Sequence, residues 1–134
     1  MSYFEVNYLA VIVAALVPMA VGSLWYSKLM FANAWMKEVG LTEETLGSPG
    51  PAMIKSLVAS LILSFGLAIL LKHTGAIGAY TGAMTGFFTA LFIVGAATLP
   101  NYAFESKSAK HFAIHLGATT VGMTVMGAIL GAWQ

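Results

Sequence analysis

Four long apolar runs occupy most of this chain: Val6 to Ser27, Ala52 to Leu71, Ala76 to Leu99 and Phe112 to Trp133, each about 20 residues and nearly free of charge. At roughly 1.5 Å of rise per residue, each run is long enough to cross a hydrocarbon layer about 30 Å thick. One such run could be a buried core helix. Four of them, in 134 residues that are 59% hydrophobic and 8% charged, cannot all be hidden in a water-soluble fold. Lipid offers backbone N–H and C=O groups no partners, so each run must satisfy its own as a helix. The sequence therefore predicts an all-α protein, a bundle of four transmembrane helices over about 6–27, 52–72, 76–99 and 110–132 within one domain, 1–134. Glu5 in place of a basic start, the length of the first run and the lack of a small-residue cleavage pattern after Ser27 favour a mature helix there over a signal peptide.

Several function classes fall away on residue types alone. No cysteine is present, which removes disulfides, thiol catalysis and thiolate metal sites. The six basic residues are all lysines and are scattered, and the net charge is +1, so no nucleic-acid partner is expected. Aspartate is absent, no serine sits in a nucleophile-elbow pattern, and the glycines from Gly75 to Gly86 lack the Lys and Ser or Thr of a phosphate loop. No catalytic residue, cofactor or metal is assigned, and an enzyme is not expected.

The lysines give an orientation. Lys28, Lys37 and Lys55 lie in or beside the first connection and Lys107 and Lys110 in the third, whereas the second has Lys72. Short basic loops stay in the cytoplasm, which predicts both termini outside for a multi-pass protein of the bacterial inner membrane. Trp25 and Tyr26 at the end of the first run, Trp35 beyond it and Trp133 at the end of the fourth read as interfacial anchors in contact with membrane lipids. Pro18 should kink the first helix. Between the first two spans, Phe31, Trp35 and Val39 recur one turn apart with Asn33 and Lys37 on another face, the pattern of a short interfacial helix. A short capped turn and a loop are expected from Leu41 to Pro51.

On the third helix Gly78, Gly82 and Gly86 recur at every fourth position, and Gly127 and Gly131 repeat the device on the fourth. Such a stripe lets another helix approach closely and gain dispersion contacts where water supplies no drive. Packing within the bundle is one use, and a homo-oligomer built on the third-helix stripe is another. Thr81, Thr85, Thr89 and Thr98 could line a narrow polar path. Asn7, near the outer end of the first span, is expected to bond another helix.

The densest polar group gathers Ser27, Lys28, Asn101, Tyr102, Glu105, His111 and His115 at the predicted inner face. His111 and His115 are one helical turn apart and could turn both imidazoles the same way, but two ligands do not make a metal site unless Glu105 folds back to join them. The bland alternative places His111 at the interface, His115 bonded inside the bundle and Glu105 paired with a lysine.

Together, Asn7, the run Gly22, Leu24, Trp25, Tyr26, Ser27, then Phe31 with Trp35, Leu41 to Glu44, Asn101, Tyr102, Phe104, Glu105 and the closing Met126 to Trp133 resemble a bacterial family of small four-helix membrane proteins, the domain of unknown function numbered seventeen sixty-one. The resemblance covers the whole chain and implies the same architecture without an activity. Family members tend to carry an acid where His115 stands and a Tyr-His pair where Ala118 and Thr119 stand, so this chain departs from shared chemistry on the fourth helix. The leading expectation is an interaction or scaffolding protein, working as a homo-oligomer or within a larger membrane complex. The alternative is an oligomeric conduit for a small solute or ion.

Overall fold

In the computed structural model, which describes residues 4–42 and 50–134, every regular element is a helix. Among these residues four segments are long and apolar enough to cross a membrane: Tyr8–Trp25, Gly50–Thr74, Ala79–Phe104 and Ala109–Ala132. The expected turn and loop between Leu41 and Pro51 falls largely on residues 43–49, outside the described residues.

The first span is two helices, α1 (Tyr8–Ala15) and α2 (Val17–Trp25), that meet at Leu16. Pro18 has no N–H to return along the helix, and Leu16 instead closes a tighter turn, its N–H donating to the Val13 carbonyl at 3.1 Å. Pro18 thus sits in the first turn of α2, where a missing donor does no harm. Asn7 holds the other end: its Oδ1 accepts the Ala10 N–H at 3.2 Å as a cap, and its Nδ2 donates to the Trp133 carbonyl at 3.1 Å.

Helix α3 (Ala32–Val39) follows, closed by Gly40 at φ +74°, where the Leu41 N–H reaches the Met36 carbonyl at 2.9 Å. Helix α4 (Gly50–Thr74) closes the same way. Gly75 adopts φ +72°, Ala76 donates to Leu71 at 2.9 Å and Gly75 to Lys72 at 3.3 Å, the pairing that satisfies the last carbonyls of a helix. The helix therefore runs past Lys72, and the second connection is the tight turn Gly75 to Gly78.

The third span consists of α5 (Ala79–Thr89), a π-helical turn (Ala90–Gly95) and α6 (Ala96–Phe104). It continues beyond the Leu99 boundary expected from sequence because Pro100 deletes one backbone bond without ending the helix, as membrane helices tolerate. Asn101 and Tyr102 are consequently helical, and the third connection shrinks to four residues, Glu105 to Ser108. Helix α7 (Ala109–Ala132) then starts at Ser108, whose Oγ accepts the His111 N–H at 2.9 Å.

Helix α7 is the axis of the bundle. On one side it meets α5 backbone to backbone: a Cβ built on Gly82 would lie 2.9 Å from the Gly127 carbonyl carbon and 3.0 Å from the Gly131 Cα, and Gly86 faces the Met123 backbone in the same manner. The approach is close enough for the Gly78 N–H to donate to the Gly131 carbonyl at 3.0 Å. On the other side Met123, Met126 and Leu130 are buried with Leu67, Ala68 and Leu71 of α4 and Ala10, Val11 and Ala14 of α1. Ser64, fully buried, donates across this core to the Val11 carbonyl at 2.8 Å. Outward-facing residues such as Leu9, Ile12, Ile54, Ile62 and Phe92 are exposed and apolar, as contact with acyl chains requires. The helices alternate, so the termini and the Gly75 to Gly78 turn share one end, tied by Asn7 to Trp133 and by the Gln134 Nε2 donating to the Ala76 carbonyl at 2.6 Å.

Candidate functional site

Polar and aromatic side chains collect at the opposite end, where α2, α3, α6 and the start of α7 converge. Tyr102, on the last turn of α6, is the hub. Its ring lies 5.1 Å from that of His111 and 5.3 Å from that of Phe112, both edge-on, and 6.1 Å from that of His115. The Lys107 Nζ stands 5.0 Å from the Tyr102 centroid, an approach that favours a cation over an aromatic face. The same Nζ is 3.2 Å from the Glu105 carboxylate. Both members of that pair are exposed, so it adds little stability.

Just beyond the first span, Tyr26 brings its hydroxyl to 3.5 Å from the His115 Nδ1, and its ring meets Trp35 of α3 at 5.5 Å, edge to face. Burial, with Tyr102 a lesser contributor, pushes the Tyr26 phenol above its usual 10.0. It is therefore a neutral phenol across the physiological range. The end of the first span is thus linked to α6 through α7: Tyr26 reaches His115, and His115 shares the Tyr102 ring.

Trp25 is held inside the bundle and is more than an interfacial anchor. Its Nε1 donates to the Ile114 carbonyl at 2.9 Å, and its ring fills the notch left by Gly117, where an added Cβ would come within 2.6 Å of Trp25 Cζ2. Trp133 is 41% exposed and contributes a backbone carbonyl to Asn7, while Trp35 packs on Tyr26.

The two histidines exchange their expected settings. His111 is buried under Tyr102, whereas His115 is exposed beside Tyr26. The reason is the extension of α6 past Pro100, which carries Tyr102 over the first turn of α7 rather than leaving it in a loop. Two further residues of the predicted cluster do not join it by side chain: Ser27 turns its hydroxyl back to the Leu24 carbonyl at 2.6 Å, and Asn101 is exposed. Lys28 is exposed at the same end. Among the described residues no three His, Cys, Asp or Glu side chains stand close enough to hold a metal ion, and the Glu105 carboxylate lies on Lys107.

Sequence reasoning passed over Ser108 and Glu38. Ser108 caps α7 and donates to Glu38 Oε2 at 2.6 Å, which fastens α3 to the α7 amino end and sets a carboxylate where the helix dipole favours it. A serine one residue before an apolar helical run is a readable cap signal; Glu38 has none, since its role depends on where α3 lands. The assembled surface offers hydrogen bonding, a neutral phenol and a cation over an aromatic ring.

Thr85 donates to the Thr81 carbonyl at 2.8 Å and Thr98 to Val94 at 2.9 Å, each within its own helix, as Thr124 does to Thr120 at 2.7 Å on α7. Comparison with protein families matches residues 9–131 to one described as a protein of unknown function, DUF1761. No curated protein and no solved structure matches the chain.

Proposed function

We propose, from the premise that this chain belongs to the DUF1761 family of proteins of unknown function, that it is an interaction or scaffolding protein of the bacterial inner membrane. Its partners in this reading are copies of itself or a larger membrane complex in which it is an accessory subunit. The observation that carries the reading is the distribution of polar groups. Within the spans, Ser23, Ser64, Thr85, Thr98 and Thr124 all direct their hydroxyls to backbone carbonyls of this same chain, so the bundle holds itself together. A polar and aromatic cluster is gathered at one end, on Tyr26, Trp35, Tyr102, Lys107 and His115, in the position a neighbouring membrane protein would meet at headgroup depth. In this reading, supported by lysine placement, this end faces the cytoplasm with both termini outside, and the amphipathic pattern of α3 supports a position in the headgroup layer.

The third-helix glycine row supports self-association poorly, because Gly82 and Gly86 are already covered by α7. Any homo-oligomer would use other faces. Native mass spectrometry of the protein released gently from its own membrane tests the proposal. A retained second copy or a larger partner is the expected result, and a bare monomer under conditions that preserve known complexes would refute it. Solute or proton flux through reconstituted vesicles above that of empty ones would favour the conduit instead.

A further inference from the structure

Between the α2–α3 turn and the first turns of α7 lies a groove of about 430 Å³ lined by Trp25, Phe31, Ala34, Lys110, Ala113 and Ile114. Five of these six are apolar or aromatic. The one polar atom of Trp25 is already satisfied by Ile114, so the wall presents ring faces and methyl groups; the Trp25 and Phe31 rings lie 4.9 Å apart and form one side of it. The volume falls within the range of about 300–1,000 Å³ typical of small-molecule sites.

Lys110 stands at the rim, exposed, in the first turn of α7. That position is adverse for the helix itself, whose amino end already carries roughly half a positive charge and whose first turn has no acid. Among the described residues the nearby carboxylates are committed elsewhere, Glu38 to Ser108 and Glu105 to Lys107. An apolar groove that opens at the end of the spans, with a lysine and a helix amino end at its mouth, is complementary to an anion carried on a hydrocarbon chain. We propose that it binds one anionic phospholipid, with an acyl chain laid along Trp25, Phe31 and Ile114 and the phosphate at Lys110. A zwitterionic lipid offers the same chain without the net charge, so headgroup charge is what discriminates.

Trp25 lies in the groove wall and serves as the reporter. The full chain carrying Trp35→Phe and Trp133→Phe is reconstituted in phosphatidylcholine vesicles containing either brominated phosphatidylglycerol or brominated phosphatidylcholine, and the quenching of Trp25 is followed against mole fraction. Half-quenching is expected at roughly three- to fivefold less of the anionic lipid, the preference one lysine confers near a charged surface. Lys110→Gln should merge the two curves. Ala113→Phe, which fills the groove and keeps the charge, should abolish the preference as well. The same comparison on Trp133, at the other end of the bundle, should show none. Equal curves for Trp25 in the parent, or a preference that survives Lys110→Gln, would overturn the assignment; the first of these needs no variant at the site.

Discussion

Adding a single methyl group at Gly82 tests whether the α5–α7 contact sets the stability of the bundle. A Cβ there would overlap the Gly127 carbonyl oxygen and lie 2.9 Å from its carbon and 3.0 Å from the Gly131 Cα, against 3.4–4 Å for ordinary contact, so the helices must part by about 1 Å. A gap of that size forfeits a quarter to a half of the dispersion attraction between the touching atoms, and overpacking of this kind costs about 1–3 kcal/mol. Stretching the Gly78 to Gly131 backbone bond adds about 0.5–1.5 kcal/mol. Against this, alanine is the better helix former by up to about 1 kcal/mol. Gly82→Ala should therefore destabilise by about 1–3 kcal/mol, measured by reversible unfolding in mixed micelles with rising dodecyl sulfate, followed by tryptophan fluorescence and circular dichroism. Gly66→Ala is the control, because nothing stands within 4 Å of its added Cβ, and it should be neutral or slightly stabilising. Gly127→Ala opens the same gap from the other side, so the double variant should fall short of the sum of the two. If Gly82→Ala proves as stable as Gly66→Ala, the helices are not held at backbone contact and the reasoning fails.

Ser64→Ala removes the buried bond to Val11 and should cost about 0.6–2 kcal/mol in the same unfolding measurement, with the lower part of that range favoured by the small size of most interhelical bonds in lipid. Ser108→Ala deletes both the α7 cap and the partner of Glu38; a loss of about 0.5–2 kcal/mol is expected, with faster hydrogen exchange confined to the first turn of α7. The Tyr26 phenol is raised above its usual 10.0, so the folded state holds this proton more tightly than the unfolded one; its contribution is intact below pH 10 and is lost as the pH climbs through the folded value. Ultraviolet titration of Tyr26→Phe should lose one late-ionising tyrosine relative to the parent.

The spans were legible because lipid leaves the backbone so few choices: length and apolarity alone select a helix, and the glycine period tells which face can come closest. Pro18 also announced its break, since the missing N–H acts locally. Pro100 did not read as easily. Its sequence context resembles a helix end, yet the helix continues, and that single difference moved Tyr102 from a loop onto α6 and exchanged the settings of His111 and His115. The Trp25 notch had half a signal, a glycine at 117, but which ring would fill it depends on the bend at Leu16. The Ser108 to Glu38 bond was beyond periodicity altogether, because it joins elements 70 positions apart in the chain.

The π-helical turn at Ala90 to Gly95 acts as a rotational setting for everything downstream. Residues spaced four apart on a regular helix drift about 40° per step around its axis, so a row that begins at Gly82 would wind away from α7. The buried positions here run Gly82, Gly86, Ala90 and then Gly95; on a regular helix that five-residue step would carry Gly95 about 140° round the axis, and the wider π turn absorbs most of the excess, so Gly95 stays buried. Were that turn to tighten into regular α-helix with its extra residue kept, α6 would swing by about 100°, and Tyr102 would no longer look down on His111. The aim of the hub residue is thus fixed several residues upstream, by an extra amino acid whose own side chain takes no part.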